Sequence, residues 1–448
     1  MKRATAHIAL VPALACLVAV GCSSSDPTRV VPDDAGTEDS GAPTPDAGAP
    51  DRAVADTNAP PAEAPRPLDV TCESDPCYVA VSGNGGHHVC GLVHDGTVRC
   101  WGRDTFELPE SSDGEGPVGD GALGRGVSVS GADAATPAPV VGLSNVTQIS
   151  VGPNFGTCAR TSDGSVYCWG RNDFGQLGRA PTERALPVPT RVEGLPPVDR
   201  VELGNHGACA IGADRELYCW GEKTSGLGLE EDGETTFAPR RISTFRAPIH
   251  SLVIGTWETK DTIIALLDGD VLANAGDSPV GETSLMYQEP RAPLEVAKVR
   301  LAGAFAYVTT DGRLERWKNQ YGTIVVDSLY IPSSDLLVDV KVTGANLMKP
   351  LHPSQQQGGA VSSTGRLFRW GPNTAGTLGI PPETVVESRY PVEVLAVKSK
   401  VVSFAMTYRS TCASLVDGTI ECWGANAFGE LGRGTTDFDP HPEPEVIR

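Results

Sequence analysis

Eight cysteines fall into four pairs on one spacing. Cys90 and Cys100, Cys158 and Cys168, Cys209 and Cys219, and Cys412 and Cys422 are each ten residues apart. Thiols at a fixed spacing can hold a soft metal or oxidise to a bridge. Zinc ligands usually have only two to four residues between them, and two such pairs must meet. Midway between these cysteines stands an Asp: Asp95, Asp163, Asp214 and Asp417, three of them followed by Gly. Asp-Gly favours a hairpin, because Gly accepts a positive φ and Asp bonds its own turn. A hairpin centred on Asp163 sets Cys158 opposite Cys168, with Cα atoms about 4.5–5.5 Å apart, within disulfide range. Each bridge contributes somewhat under about 3 kcal/mol by loop closure.

Three degenerate copies of the unit test this reading. They centre on Asp268-Gly269, Asp311-Gly312 and Thr364-Gly365. Five residues to either side stand Ile263/Ala273, Ala306/Arg316 and Gly359/Arg369, so both cysteines are missing from every copy. Joint loss fits a bridge and does not fit independent thiols. No metal site is assigned, and Cys72 with Cys77, outside the repeats, form a fifth candidate pair.

The remaining polar residues give no catalytic constellation. His87 and His206 share one repeat position, three before the first cysteine, which suggests a structural role near a strand end. No Gly-x-Ser-x-Gly, His-Glu-x-x-His or phosphate-loop motif occurs. The connection 103–139 is extra long and carries Asp113-Gly-Glu115-Gly-Pro-Val-Gly-Asp120-Gly. Its acids could ligate Ca²⁺ or simply be solvated. With Phe106 and Leu108 at its start it is the most distinctive excursion and a candidate binding loop. No cofactor is implied.

Strand signals surround each hairpin. Val146-Thr-Gln-Ile-Ser-Val151 precedes the second unit, Val198-Asp-Arg-Val-Glu-Leu203 the third, and Val401-Val-Ser-Phe404 the last. Proline-containing pieces, Pro187–Val192 and Pro391–Val394, follow the hairpins. Each second cysteine precedes Trp-Gly. With Asn274 taken as the degenerate tryptophan position, the anchors are Trp101, Trp169, Trp220, Asn274, Trp317, Trp370 and Trp423. About four short strands per unit, seven units and no amphipathic helix predict an all-β chain, a seven-bladed β-propeller over residues 72–448. Sheet boundaries between 245 and 340 are not fixed by pattern.

The strings Cys168-Trp-Gly-Arg-Asn-Asp-Phe-Gly-Gln-Leu-Gly178, Trp370-Gly-Pro-Asn-Thr-Ala-Gly-Thr-Leu-Gly379 and Cys422-Trp-Gly-Ala-Asn-Ala-Phe-Gly-Glu-Leu-Gly432 resemble the repeat of the regulator of chromosome condensation family. The resemblance implies a seven-bladed propeller. In it the Gly-x-Leu-Gly turn packs one blade on the next, and Trp101, Trp169, Trp220, Trp317, Trp370 and Trp423 are packing residues. Members include a nucleotide exchange factor for a small nuclear GTPase and a secreted β-lactamase inhibitor, both of which act by binding a protein. The fourth copy departs most, lacking the Trp, both cysteines and the Gly-x-Leu-Gly turn.

The first residues read as an address. Lys2 and Arg3 precede an apolar run from Ile8 to Val20, as in a secretory signal over 1–21. Ala19-Val20-Gly21-Cys22 resembles a bacterial lipobox, which implies cleavage before Cys22 and its lipidation. Residues 22–71 are rich in Ala, Pro and Asp and read as a disordered tether. Setting aside Cys16 in the signal and Cys22 on lipid leaves an even set of cysteines for an oxidising compartment. The formal net charge is −20, which disfavours nucleic acid and anionic lipid as partners. The expectation is a monomeric, non-enzymatic cell-envelope lipoprotein at the outer membrane or cell surface, or otherwise secreted. Its membrane contact would be the lipid alone, and one propeller face would bind an unknown protein. The alternatives are glycan or envelope-polymer binding, with Trp257 as the exposed-ring candidate, a structural surface role, or a channel enzyme.

Overall fold

The computed structural model describes residues 67–104, 121–181, 186–222, 237–243, 248–257, 260–267, 271–275, 286–288, 300–301, 306–308, 313–320, 323–330, 336–343 and 357–447. The signal, Cys22 and most of the tether lie outside them, as do Phe106, Leu108, Asp113, Glu115 and Asp120.

The described residues form seven antiparallel four-stranded sheets, each from consecutive strands. The first holds β1 (Tyr78–Ser82), β2 (His88–Val93), β3 (Val98–Gly102) and β4 (Ala138–Pro139). The second holds β5 (Val146–Val151), β6 (Gly156–Thr161), β7 (Val166–Gly170) and β8 (Leu186–Arg191). The third is β9 (Val198–Leu203), β10 (Gly207–Gly212), β11 (Leu217–Gly221) and β12 (Arg240–Ile242). The fourth is β13 (Ile249–Trp257), β14 (Lys260–Leu267), β15 (Val271–Ala275) and β16 (Met286–Gln288). The fifth is β17 (Arg300–Leu301), β18 (Ala306–Val308), β19 (Arg313–Gln320) and β20 (Thr323–Tyr330). The sixth is β21 (Leu337–Thr343), β22 (Gln357–Ser362), β23 (Leu367–Pro372) and β24 (Glu387–Glu393). The seventh is β25 (Val401–Met406), β26 (Ser410–Leu415), β27 (Ile420–Asn426) and β28 (Asp437–Val446). One short helix, α1 (Gly131–Ala134), lies in the long connection of the first sheet. The first strands of successive sheets are neighbours from β1 to β21, and β25 meets both β22 and β1. This closed ring is a β-propeller.

All five cysteine pairs lie at bonding distance. Cys90–Cys100, Cys158–Cys168, Cys209–Cys219 and Cys412–Cys422 have Cα separations of 4.1–4.2 Å. They are direct register partners on the second and third strands of their sheets. Cys72–Cys77, at 5.4 Å, closes a small loop ahead of β1. That loop lies on the last hairpin turn. Thr71 donates its N–H to Val416 O (2.6 Å), Glu73 to Asp417 O (3.1 Å) and Tyr78 to Gly418 O (2.8 Å). The chain's first described segment therefore clasps its last sheet.

The degenerate pairs need one correction. Ala306 faces Arg316 and Gly359 faces Arg369, as the spacing predicts. In the fourth sheet Ile264 faces Asn274, while Ile263 faces Ala275. Asn274 therefore stands at a cysteine position, and Ala275 at the tryptophan position. Leu267 faces Val271, so the register of β14 on β15 runs one residue later than the sequence pattern predicts. In the sixth sheet Arg369 occupies the cysteine position, fully buried. Its Nη1 donates to Gly358 O at 3.0 Å and its guanidinium touches Met406 Sδ. Burial pulls its pKa down to about 9.

The repeat string has a direct physical reading. Four Trp indoles cross to the preceding sheet and donate to the carbonyl just before that sheet's turn leucine. Trp169 Nε1 reaches Ala122 O (3.0 Å), Trp220 reaches Gln176 O (2.9 Å) and Trp423 reaches Thr377 O (3.0 Å). Trp101 closes the ring onto Glu430 O of the last sheet (2.9 Å). The buried Asn holds the same turn from within. Asn172 Oδ1 accepts Leu177 N–H (3.0 Å), Asn373 that of Leu378 (2.8 Å) and Asn426 that of Leu431 (3.3 Å). In the first sheet Asp104 takes this place, accepting N–H bonds from Leu123 (2.8 Å) and Val129 (2.9 Å). The fifth sheet carries no Gly-x-Leu-Gly string, and Trp370 Nε1 has no partner among the described residues. Trp317 lies in β19 opposite Val326, with its side chain outside the description.

Candidate functional site

Two sets of loops emerge on one face of the ring. One set joins first to second strands (inner loops); the other joins third to fourth strands (outer loops). They are laced by a repeated bond: Arg103 N–H to His87 O, Arg171 to Phe155 O, Glu222 to His206 O and Ala425 to Arg409 O, at 2.8–3.1 Å. The glycine after each Trp makes this close approach possible. Gly170 has φ 98°, and a Cβ there would meet Phe155 O at 2.2 Å.

His87, Phe155, His206 and Arg409 occupy one repeat position, three before the first cysteine. The corrected register adds Asp261. The first three and Asp261 each pack toward the preceding sheet. His87 meets Phe428 edge-on, with centroids 4.9 Å apart, and its Nδ1 lies 3.6 Å from Glu430 Oε1. Phe155 lies 6.2 Å from the His87 ring. His206 packs on Phe174 at 4.0 Å, and its Nδ1 faces Glu222 at 3.0 Å. Asp261 is buried, and accepts N–H bonds from Asn205 (3.0 Å), His206 (2.6 Å) and Gly207 (2.8 Å). Burial raises its pKa despite those three donors. His87 and His206 stand just ahead of β2 and β10, at the strand ends where the repeat placed them. The neighbouring His88 is fully buried. Its Nε2 bonds Thr157 Oγ1 at 2.8 Å, and burial, helped by His87, pushes its pKa down to about 3.

On this frame lies an aromatic and guanidinium arc. The Arg103 guanidinium sits 4.3 Å from the Phe428 centroid and 5.6 Å from that of Phe155. Tyr408, 62% exposed, stands 6.2 Å from His87. Arg171 continues the arc, paired with Asp173 and bonded through Nη1 to Asn154 Oδ1 at 3.1 Å. The segment Gly83–Gly86 lies beside Met406–Tyr408. Gly85 N–H bonds Met406 O (2.9 Å), and Tyr408 N–H bonds Gly86 O (3.0 Å). This contact frames the mouth of a channel of about 600 Å³ between the first strands.

The channel walls are stitched to one another. Ser82 Oγ accepts Val151 N–H (3.2 Å), Ser150 Oγ accepts Leu203 N–H (3.0 Å) and Ser403 Oγ accepts Val81 N–H (3.1 Å). Arg200 pairs with Glu202 at 2.7 Å and Lys341 with Asp339 at 2.9 Å. No histidine lines the channel among the described residues, and its charges neutralise one another. No cluster of three or more His, Cys, Asp or Glu that could hold a metal occurs among the described residues.

Sequence reasoning singled out His87 and His206 but not the arc. Phe155 and Arg409 share their repeat position, which was the available signal; Arg103, Tyr408 and Phe428 come from other loops. The candidate loop residues Phe106, Asp113, Glu115 and Asp120 are not placed. The flanks of their connection, Asp104 and Leu123, are bonded together on this same face. Trp257 ends β13, with its side chain outside the description.

Repeat string, disulfide hairpins and closed ring define a class. The model of the regulator of chromosome condensation (RCC1) repeat matches residues 163–211, and a second model of that repeat matches 146–176. Residues 146–211 thus carry repeats of this family. It is 28% identical over 347 residues to the ultraviolet-B receptor UVR8 of Arabidopsis thaliana, covering 72% of this chain and 74% of that one. To the human regulator of chromosome condensation it is 32% identical over 179 residues, 40% of this chain and 36% of that protein. The structure is similar to that of Prp20p from Saccharomyces cerevisiae, with a TM-score of 0.57 at 18% identity, over 83% of this chain and 87% of that one. That likeness establishes the propeller fold.

Proposed function

We propose that this chain is a non-enzymatic protein-interaction propeller that docks a partner protein on the face carrying the inner and outer loops. The observation that carries the reading is the arc of Tyr408, His87, Phe428, Arg103 and Phe155 on that face. Aromatic rings and arginine are the side chains that concentrate binding energy at protein interfaces. The family supports a binding role: Prp20p is described with binding properties to Gsp1p and histones. A net charge of −20 argues against a nucleic-acid partner here.

We place the propeller at the cell envelope, held by lipid on Cys22 through the tether, with secretion as the alternative. The five disulfides support an oxidising compartment. The chain acts as a monomer in this reading. Its outermost strands are blunted by proline, with Pro187 and Pro189 in β8 and Pro440, Pro442 and Pro444 in β28. Glycan binding is the second reading, favoured by the exposed rings of Tyr390 and Phe438 on β24 and β28.

The test is cross-linking and affinity capture of tagged protein from intact native cells, with a Cys22→Ser version as the released control. One protein enriched over that control and cross-linked to this face is the expected result. Bulk envelope proteins with no preferred face would sink the reading.

A further inference from the structure

The sign of the arc narrows what can dock there. The inner loops of the first, second, third and seventh sheets span 83–87, 152–155, 204–206 and 407–409, and they contain no Asp or Glu. They contribute His87, His206 and Arg409, in a chain with 56 acids to 36 bases. The carboxylates beneath them are buried and engaged. Asp261 accepts three backbone N–H bonds, and Glu430, 3% exposed, accepts Phe428 N–H at 2.8 Å. Glu222 and Asp173 stand at the flank, already paired with His206 and Arg171. Arg409 is exposed beside Tyr408, and its guanidinium makes no ion pair among the described residues. Arg103 lies across the Phe428 and Phe155 rings beside it. Tyr408 stands 6.2 Å from His87, and Met406, Leu203 and Ile254 line the channel.

We propose that this face receives an extended acidic segment of the partner polypeptide. A carboxylate of that segment would meet Arg409, and a neighbouring apolar side chain would pack on Tyr408. The proposal rests on the protein-interaction reading above and adds the partner's charge and form. An acidic propeller repels an acidic segment at long range, so this local cationic rim also sets where such a segment can land.

The test is selection of random linear peptides displayed on phage against detergent-purified full-length protein. Selected peptides are then measured by fluorescence anisotropy at low and high salt. Arg409→Glu and Tyr408→Ala are the variants; both side chains are exposed, so thermal melts should match the parent. The expected peptides carry Asp or Glu flanking a large apolar residue. They should weaken with salt, lose about tenfold in Kd with Arg409→Glu, and lose about fivefold with Tyr408→Ala. Neutral or basic peptides that ignore Arg409→Glu but still need Tyr408 would overturn the acidic segment and leave protein docking on this face standing. Peptides indifferent to both variants would overturn the segment and the face together. Failure to select any peptide, with Tyr408-dependent binding on an oligosaccharide array, would replace the segment by a glycan.

Discussion

Replacing single tryptophans by phenylalanine separates the two roles of the repeat indole. Trp169 and Trp370 are equally buried, at 0% and 1% exposure. Truncating either ring removes similar packing, a shared cost of about 1–3 kcal/mol. Trp169 also donates to Ala122 O at 3.0 Å across a sheet boundary, whereas Trp370 Nε1 has no partner among the described residues. Trp169→Phe therefore leaves a buried carbonyl unpaired, at an added cost of about 1–2 kcal/mol. Trp370→Phe instead relieves a buried donor. Urea unfolding followed by far-ultraviolet circular dichroism reads the difference without relying on the altered fluorophore. Trp169→Phe, Trp220→Phe and Trp423→Phe should each be about 1–2 kcal/mol more destabilising than Trp370→Phe. Equal losses at all four positions would refute the assignment of the indole bond as the tie between sheets.

Other consequences are open to measurement. His88, buried with its pKa near 3, binds no proton in the folded state when the unfolded chain does, so stability should fall as pH drops from about 6.5 toward 3. The slope owed to this group is about 1.4 kcal/mol per pH unit, and denaturant midpoints from pH 7 to 4 should show it flattened in His88→Gln. The corrected register predicts that Ile264→Cys with Asn274→Cys forms a bridge under oxidising conditions, and that Ile263→Cys with Ala273→Cys does not; peptide mapping without reduction decides. Opening the clasp with Cys72→Ser and Cys77→Ser should cost about 2 kcal/mol by loop entropy. It should also speed hydrogen exchange in β1 and around Asp417 before the rest of the ring. Unchanged exchange there would deny the clasp its role.

Local patterns carried much of this architecture, and distant contacts did not. Cysteine spacing and the central Asp gave three of the disulfide-bearing hairpins an Asp-Gly turn that reads at sight, and the Trp-Gly-x-Asn string marked the turns that pack one sheet on the next. The fourth sheet was misaligned by one residue because Asp268-Gly269 imitates the usual turn in sequence while the strands pair Leu267 with Val271. With no cysteine or tryptophan nearby, nothing in the string could reveal the slip. The arc was invisible for another reason. Arg103 and Phe428 are far apart in sequence and meet only because the ring closes. His87 and His206 were recognisable as a repeated structural position, yet Phe155 and Arg409 at that same position change its chemistry from sheet to sheet. Channel stitching by Ser82, Ser150 and Ser403 is likewise a product of closure, since each serine serves the neighbouring sheet's backbone.

The most direct test of the docking face uses a photo-cross-linking amino acid at two positions in native cells. One is Tyr408, on the inner loop of the proposed face. The other is Asp163, a hairpin turn between second and third strands, at the opposite end of those strands. The account predicts a discrete protein adduct from position 408 and none from position 163. An adduct from position 163 alone, or equal labelling of many proteins from both, would contradict it.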